Sequence, residues 1–343
     1  MSKILILGGT GNISTPITRE LLARGEEVLI MHKGADPQLP GLTNVRGDCD
    51  SLADKQRAAQ SGPFDCVIDM LGYTRQNAED DVAAFAGKTR QFIFCSTINV
   101  FSAPAPTYPV TNATPRYPDA RFGYAFEKAE MERIYENAAA QGAFVLTIIR
   151  PSCTYNETSL PISMVNDGDA GHVLVTRLKE GKPILVPGDG NGLWCYTYRE
   201  DCALAFIGAA GNSKAYGKAY NLTGDECFTW EESYRVMARA WDAPEPTFVR
   251  MASDLAVAAL PAACDWMYYN FSQHVLYDST EAKQDLGYRY RTTWFEGCQM
   301  QRAWQEAHGG PKLAYSRAYD TLLDRYSLAK EKMVAEIRQM RLE

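Results

Sequence analysis

The chain has 343 residues, 46% of them hydrophobic and 22% charged, and 35 Lys and Arg against 42 Asp and Glu leave a net charge of −7. That length allows two domains or one large one, and the composition excludes wholesale disorder. The acidic balance argues against a dedicated nucleic-acid binder, and no stretch reaches the ~20 uninterrupted apolar residues of a membrane span.

The N-terminus, Met1-Ser2-Lys3 followed by Ile-Leu-Ile-Leu-Gly-Gly, is too short and too Gly-rich for a signal peptide and reads as a first strand. A cytoplasmic protein is therefore expected. Short apolar runs at Lys3–Leu7, Glu27–Met31, Asn44–Val45, Asp65–Asp69, Gln91–Cys95 and Phe144–Ile149 predict strands buried on both faces. Helical patterns at Asn12–Ala23, Ala53–Gln60, Gln76–Phe85 and Tyr124–Gln141 lie between them. That alternation predicts an α/β protein with a Rossmann-type doubly wound parallel sheet, and such sheets bind ligands at the carboxyl ends of their strands.

Beyond Pro151 the pattern is less regular. Helices are expected near His172–Glu180, Glu200–Ala210, Trp230–Trp241, Glu281–Leu286 and Phe295–His308, with strands at Ile184–Val186 and Tyr220–Leu222. These predict a smaller α+β substrate region. In the tail Leu322, Tyr326, Ala329, Met333, Ile337 and Met340 recur at helical spacing and predict a packed or oligomer-facing terminal helix. The expected division is 1–165, 166–310 and 311–343, with some middle segments able to return to the sheet. Nine cysteines stand singly, with no C-x-x-C pair, and read as reduced thiols rather than as a disulfide or zinc framework. His172 and His274 have no partner at metal spacing, so no metal site is expected. Three N-x-[ST] matches, at Asn156, Asn221 and Asn270, read as chance.

The segment Gly8-Gly9-Thr10-Gly11-Asn12-Ile13-Ser14 follows the first strand and opens a helix. Gly8 permits a tight turn, Gly11 lets backbone approach a pyrophosphate, and the helix N-terminus supplies free N–H groups. Gly8, Thr10, Gly11, Asn12 and Ile13 are the expected dinucleotide contacts. Ser14 stands where the pattern has its third glycine. At the end of the second strand, Met31-His32-Lys33-Gly34 holds no acid for a ribose 2′-hydroxyl. Lys33, with His32, suits a 2′-phosphate instead, so NADP is favoured over NAD. Asp48 and Cys49 follow the third strand, where the adenine edge is expected.

Tyr124 and Lys128 share a helix face at i and i+4. A lysine ammonium beside a phenol favours the phenolate and suits it for acid–base work. Thr97, ending a strand beside Ser96, is placed to orient a substrate oxygen. The order of these features carries the specificity: Gly-rich loop, strand-end hydroxyls, then Y-x-x-x-K.

With Arg150-Pro-Ser152…Tyr155, Gly181-Lys-Pro183…Gly188-Asp-Gly190, Arg199-Glu-Asp201 and Asp278-Ser-Thr…Lys283…Leu286-Gly287, the chain resembles an extended short-chain dehydrogenase/reductase of the NAD-dependent epimerase/dehydratase family over residues 1–305. The resemblance implies Tyr124 as general acid/base, with Lys128 lowering its pKa and binding the nicotinamide ribose. It implies Thr97, or less favourably Ser96, orienting the reacting oxygen. Pro151 and Ser152 would begin the loop beneath the nicotinamide. A homodimer packed through Gln76–Phe85 and Tyr124–Gln141 is also implied.

Two departures narrow the chemistry. Ile98-Asn99 follow Thr97 where sugar 4,6-dehydratases of the family carry an Asp-Glu pair, which disfavours elimination of water. Trp194 stands where sugar-nucleotide members carry a diphosphate-binding arginine, and Tyr268-Tyr269 lie where a second is expected. Asn156, Arg177, Trp194 and Tyr196 are the expected substrate contacts, with Ser96. The expected activity moves hydride at a secondary alcohol or ketone of a sugar-like or sugar-nucleotide substrate. The alternatives are an NADPH-dependent ketone reductase on a non-nucleotide substrate, or a non-catalytic relative that senses dinucleotide or binds RNA.

Overall fold

A computed structural model describes residues 1–35 and 37–340. The chain divides into two compact units. The first comprises Met1–Asn156, Cys195–Asp225 and Leu276–Thr292; the second comprises Glu157–Trp194, Glu226–Val275 and Thr293–Glu343.

The first unit begins β1 (Lys3–Leu7), α1 (Ser14–Ala23), β2 (Glu27–Met31), β3 (Thr43–Asn44), α2 (Leu52–Ala59), β4 (Phe64–Asp69), α3 (Arg75–Phe85), β5 (Thr89–Cys95), α4 (Gly123–Ala140), β6 (Val145–Pro151) and β7 (Cys153–Tyr155). Seven strands form one sheet in the order β11-β6-β5-β4-β1-β2-β3, where β11 is Lys218–Leu222, and every pair in it is parallel. Alternate residues of β1 serve opposite cores. Ile4 and Ile6 join one cluster with Ile17, Leu21 and Phe206, while Leu5 and Leu7 join another with Phe85, Phe92 and Tyr135. A strand covered by helices on both faces has no polar side, which is why its sequence is an unbroken apolar run.

The register aligns the strand ends. Leu7 lies beside Met31 and Asp69, Asp69 beside Phe94, and Cys95 beside Ile149. The loops leaving β1, β4, β5 and β6 therefore open at one sheet edge. The strand order turns at β1, the usual ligand crevice of such sheets.

The middle of the chain is interleaved rather than consecutive. After α5 (Ala170–Lys179), β8 (Ile184–Pro187) and β9 (Leu193–Trp194) of the second unit, the chain re-enters the first with β10 (Tyr196–Tyr198), α6 (Arg199–Ala209) and β11. Parallel strands cannot be joined by a tight turn, so the seventh strand arrives only after such an excursion. Asp201, fully buried, accepts from the backbone N–H groups of Arg291 and Thr292 and from Arg291 Nε at 2.8–2.9 Å. Asp278 Oδ1 accepts from Thr280 N at the start of α10 (Thr280–Leu286), which ends at Gly287 with φ +69°.

The second unit continues with β12 (Phe228–Thr229), α7 (Trp230–Ala240), β13 (Phe248–Met251), α8 (Ser253–Ala259), α9 (Pro261–Trp266), α11 (Trp294–Ala307) and α12 (Arg317–Gln339). β13 pairs with β8 in parallel and β12 with β9 in antiparallel. The sequence pattern did not reveal β7, β9, β10, β12, β13, α8 or α9. Strands of two to four residues are too short to show a period. Only Tyr319, Leu322 and Leu323 of α12 are buried; Leu328, Met333, Ile337 and Met340 are exposed. No helix among the described residues is long and apolar enough to cross a membrane. None of the nine cysteines is in a disulfide.

Candidate active site

The Gly-rich loop is fixed by its own backbone. Gly8 donates to Met31 O at 2.9 Å, and Gly8 and Gly9 have φ +107° and +91°. A Cβ at Gly9 would stand 2.3 Å from Ile30 Cγ2, so this glycine is dictated by both conformation and space. The sequence reading assigned the loop to Gly8 and Gly11 and passed over Gly9, although the doubled glycine was its signal. Thr18 Oγ1 donates to Gly9 O at 2.8 Å beneath the turn. Ser14 does not only occupy the place of a glycine. It is buried, and its Oγ accepts from Gly11 N at 2.8 Å, engaging one of the loop's amides. Asn12 and Asn156 bond to each other, Nδ2 of Asn156 donating to Oδ1 of Asn12 at 2.8 Å, and Asn12 Nδ2 donates to Thr154 O. Thr10 is exposed at the crest of the loop.

The exit of β2 carries Lys33 in an ion pair with Asp48, Nζ to Oδ2 at 3.1 Å. The pair is solvent-facing, and Asp48 raises the Lys33 pKa chiefly through that hydrogen bond. His32 Nδ1 accepts from Gly34 N at 3.0 Å. Cys49 donates its thiol to Met31 O at 3.2 Å, and burial pushes its pKa up to about 12, so it is a packed hydroxyl-like donor rather than a reactive thiol.

A cavity of about 260 Å³ runs from this loop along the sheet edge. Gly11, Asn12, Ile13 and Ser14 line one end, and Thr97, Tyr124, Lys128 and Pro151 line it further on. Thr97, buried at the end of β5, is hydrogen-bonded to Tyr124 and accepts from Asn99 N at 3.3 Å. Lys128 is buried and donates from Nζ to Cys95 O at 2.8 Å. Burial lowers its pKa. The expected lowering of the tyrosine by this lysine is corrected here. Burial pushes Tyr124 up to about 12, eased by the Thr97 hydroxyl, while the Lys128 ammonium is committed to a carbonyl. Tyr124 is thus a neutral phenol near pH 7.

One residue escaped the sequence reading. Glu132 lies one turn beyond Lys128 on the same face of α4, fully buried, and receives Arg150 and Arg116. The i, i+4, i+8 spacing of Tyr124, Lys128 and Glu132 was visible, but a charged residue on a helix is usually a solvated one. Ser152 Oγ lies 2.9 Å from Thr197 Oγ1, and its N–H donates to Leu222 O.

Three expected substrate contacts have structural work. Trp194 is 2% exposed and stacks on Trp230 at 4.6 Å, with Phe271 edge-on at 5.3 Å. It belongs to the second unit's core. Arg177 is also buried there, giving Nε and Nη2 to Pro183 O and Nη1 to Asp320, with its guanidinium 4.4 Å over the Tyr319 ring. Tyr196 is buried on β10, edge-on to Tyr155. His274 Nδ1 accepts from Leu193 N. No metal-holding cluster exists among the described residues.

The family model of the NAD dependent epimerase/dehydratase family matches residues 4–223, and the chain belongs to that family. It is 27% identical over 262 residues to the chloroplast stem-loop binding protein of 41 kDa b of Arabidopsis thaliana, covering 72% of this chain and 65% of that one. It is 25% identical over 245 residues to 2′-dehydrokanamycin reductase of Streptomyces kanamyceticus, covering 71% and 67%. The chain thus spans about two thirds of the length of these relatives. Among solved structures, Bordetella bronchiseptica WbmH in complex with NAD+ superposes with TM-score 0.70 at 19% identity, covering 90% of this chain and all of that one. Thermotoga maritima UDP-glucose 4-epimerase with UDP-glucose gives 0.69 at 16%, covering 89% and 99%. These likenesses establish the fold.

Proposed function

We propose that this family member is an NAD(P)-dependent enzyme that moves hydride at a secondary alcohol or ketone of a sugar-like substrate. The observation that carries the reading is the single cavity edge shared by the Gly-rich loop, Thr97, Tyr124 and Lys128. Gly11, Asn12, Ile13 and Ser14 line that cavity at the start of α1, and Gly9 lets the loop lie against Ile30, so the residues present fit a dinucleotide pyrophosphate.

The bound dinucleotide supplies or accepts the hydride. The remaining work falls to the chain. Thr97 and Tyr124, already hydrogen-bonded to each other, hold the reacting oxygen. In reduction, Tyr124 gives its hydroxyl proton to the ketone oxygen as the carbon gains hydride; in oxidation it takes the alcohol proton as the carbon loses it. Lys128 binds the ribose and holds positive charge beside the site. A neutral Tyr124 is the form that gives the proton in reduction. The similarity to 2′-dehydrokanamycin reductase supports a substrate without a nucleotide, and epimerisation is the alternative outcome.

Lys33 supports NADP as the preferred cofactor. Its ammonium is exposed and paired with Asp48, a solvent-screened surface pair that a 2′-phosphate could replace. The test is to denature freshly purified protein, identify any released dinucleotide, and titrate the emptied protein with all four forms. Retained NAD points to an epimerase, best binding of NADPH to a reductase, and no binding overturns the reading. Lys33→Ala is expected to weaken NADPH about tenfold and leave NADH unchanged. A homodimer through α3 and α4 accompanies the proposal and is checked by sedimentation.

A second reading rests on the similarity to a stem-loop binding protein. RNA binding that survives Tyr124→Phe and needs no dinucleotide would support it. The net charge of −7 and the retained Tyr124 and Lys128 weigh against it.

A further inference from the structure

The turn after β4 is built tightly. Asp69 Oδ1 accepts from Leu71 N and Gly72 N, both at 2.9 Å. A Cβ at Gly72 would stand 2.4 Å from Asp69 Oδ2 and 2.5 Å from Met131 Cε, so the chain passes close to α4. The next amide, Tyr73 N, donates to Asn77 Oδ1 at 3.1 Å at the start of α3. These bonds hold the backbone from which the Tyr73 ring projects. It stands with its centroid 4.9 Å from Lys128 Nζ, and the Phe94 ring stands 4.8 Å from the same atom. The buried ammonium thus has Cys95 O and two aromatic rings as neighbours.

Resting on the reading of Lys128 as the ribose-binding lysine, we propose that Tyr73 is a positioning residue, its ring face keeping the Lys128 ammonium charged and directed into the cavity. A buried lysine tends to lose its proton, and one carbonyl satisfies one of three N–H donors. Aromatic faces within 6 Å favour the charged form most where water is excluded. The titratable groups facing this ammonium are Cys95 on β5, Asp69 at the end of β4 and Glu132 on α4; the Tyr73 hydroxyl also acts on Tyr124, and Tyr73→Phe separates that from the effect of the ring. Tyr73 itself is 52% exposed and lines the cavity, so substitution there should leave the fold intact. Its hydroxyl is dispensable in this role; its ring is not.

The test reads Lys128 directly in the protein without added ligand. Protein carrying 13C-labelled lysine is titrated with pH and the Lys128 signal identified by its absence in Lys128→Arg. Tyr73→Phe is expected to titrate with the wild type, and Tyr73→Leu about one pH unit lower, a tenfold weaker hold on the proton. Tyr73→Ala serves the same comparison if the leucine variant does not fold. An unshifted midpoint in the leucine or alanine variant overturns the proposal, as does an equal shift in Tyr73→Phe. Titration of the same samples with NADPH and NADH separates the two readings. A wild type that binds neither defeats the enzymatic assignment while the lysine titration still decides the role of Tyr73.

Discussion

Arg150 meets Glu132 through two parallel hydrogen bonds, Nε to Oε1 at 2.7 Å and Nη2 to Oε2 at 2.8 Å, one turn of α4 beyond Lys128. Both side chains are buried, and Arg150 also reaches Asn112 Oδ1 at 2.9 Å. Arg116 adds a second cation from the same long loop. The pair therefore ties the end of β6 and the loop before α4 to the helix that carries Tyr124.

Breaking that pair should be costly, because the remaining charge would be buried alone. Glu132→Ala is expected to lose about 3–5 kcal/mol in denaturant unfolding. Burial pushes the Glu132 carboxyl up, but Arg150, Ser96 and Arg116 outweigh it and hold it below the usual range. A lowered native pKa contributes stability that is complete above the unfolded value of about 4.3 and is lost as pH falls through the native value. Wild type should therefore lose stability in that acid window, and Glu132→Ala should lose less of its own.

The raised Tyr124 pKa sets a pH signature. With the phenol neutral up to about 12, reduction is expected to run flat between pH 6 and 9. Oxidation, which needs the phenolate as base, should rise toward alkaline pH. Tyr124→Phe should cut turnover by at least about a thousandfold while dinucleotide binding stays within a few-fold. Steady-state rates and equilibrium binding on one preparation check both statements.

At the Gly-rich loop, Gly9→Ala combines a left-handed φ with a clash against Ile30. It is expected to destabilise the protein by about 2–3 kcal/mol and abolish dinucleotide binding. Ser14→Ala acts in the opposite direction. It frees the Gly11 amide, and dinucleotide affinity should rise about three- to tenfold, the value of one hydrogen bond. Unchanged affinity would show that Ser14 yields that amide without resistance.

Arg177 offers a contrast. Its contacts with Pro183 and Asp320 join the end of α5 to the first turn of α12. Arg177→Ala should lower the melting temperature and hasten proteolysis within 317–339, with KM for the carbonyl substrate unchanged. A raised KM at full stability would restore it as a substrate contact.

Tyr124, Lys128, Thr97 and the Gly-rich loop were legible because their signal is local: spacing on one helix, a strand end, a strand–turn–helix junction. The parallel sheet was legible for a similar reason, since strands covered on both faces read as unbroken apolar runs. Trp194 and Arg177 were misplaced because the same letters serve a packed core and a ligand wall, and only long-range neighbours distinguish them. Glu132 was invisible because its meaning depends on Arg150 and Arg116, 18 and 16 residues away in sequence. By itself the sequence determined the alternation of strand and helix and the order of the Gly-rich loop, Thr97, Tyr124 and Lys128, which depend on covalent spacing. The tertiary structure alone decided which charges lose water, and with it that Tyr124 holds its proton, that Lys128 sits between two rings, and that the seventh strand closes the sheet from a distant segment.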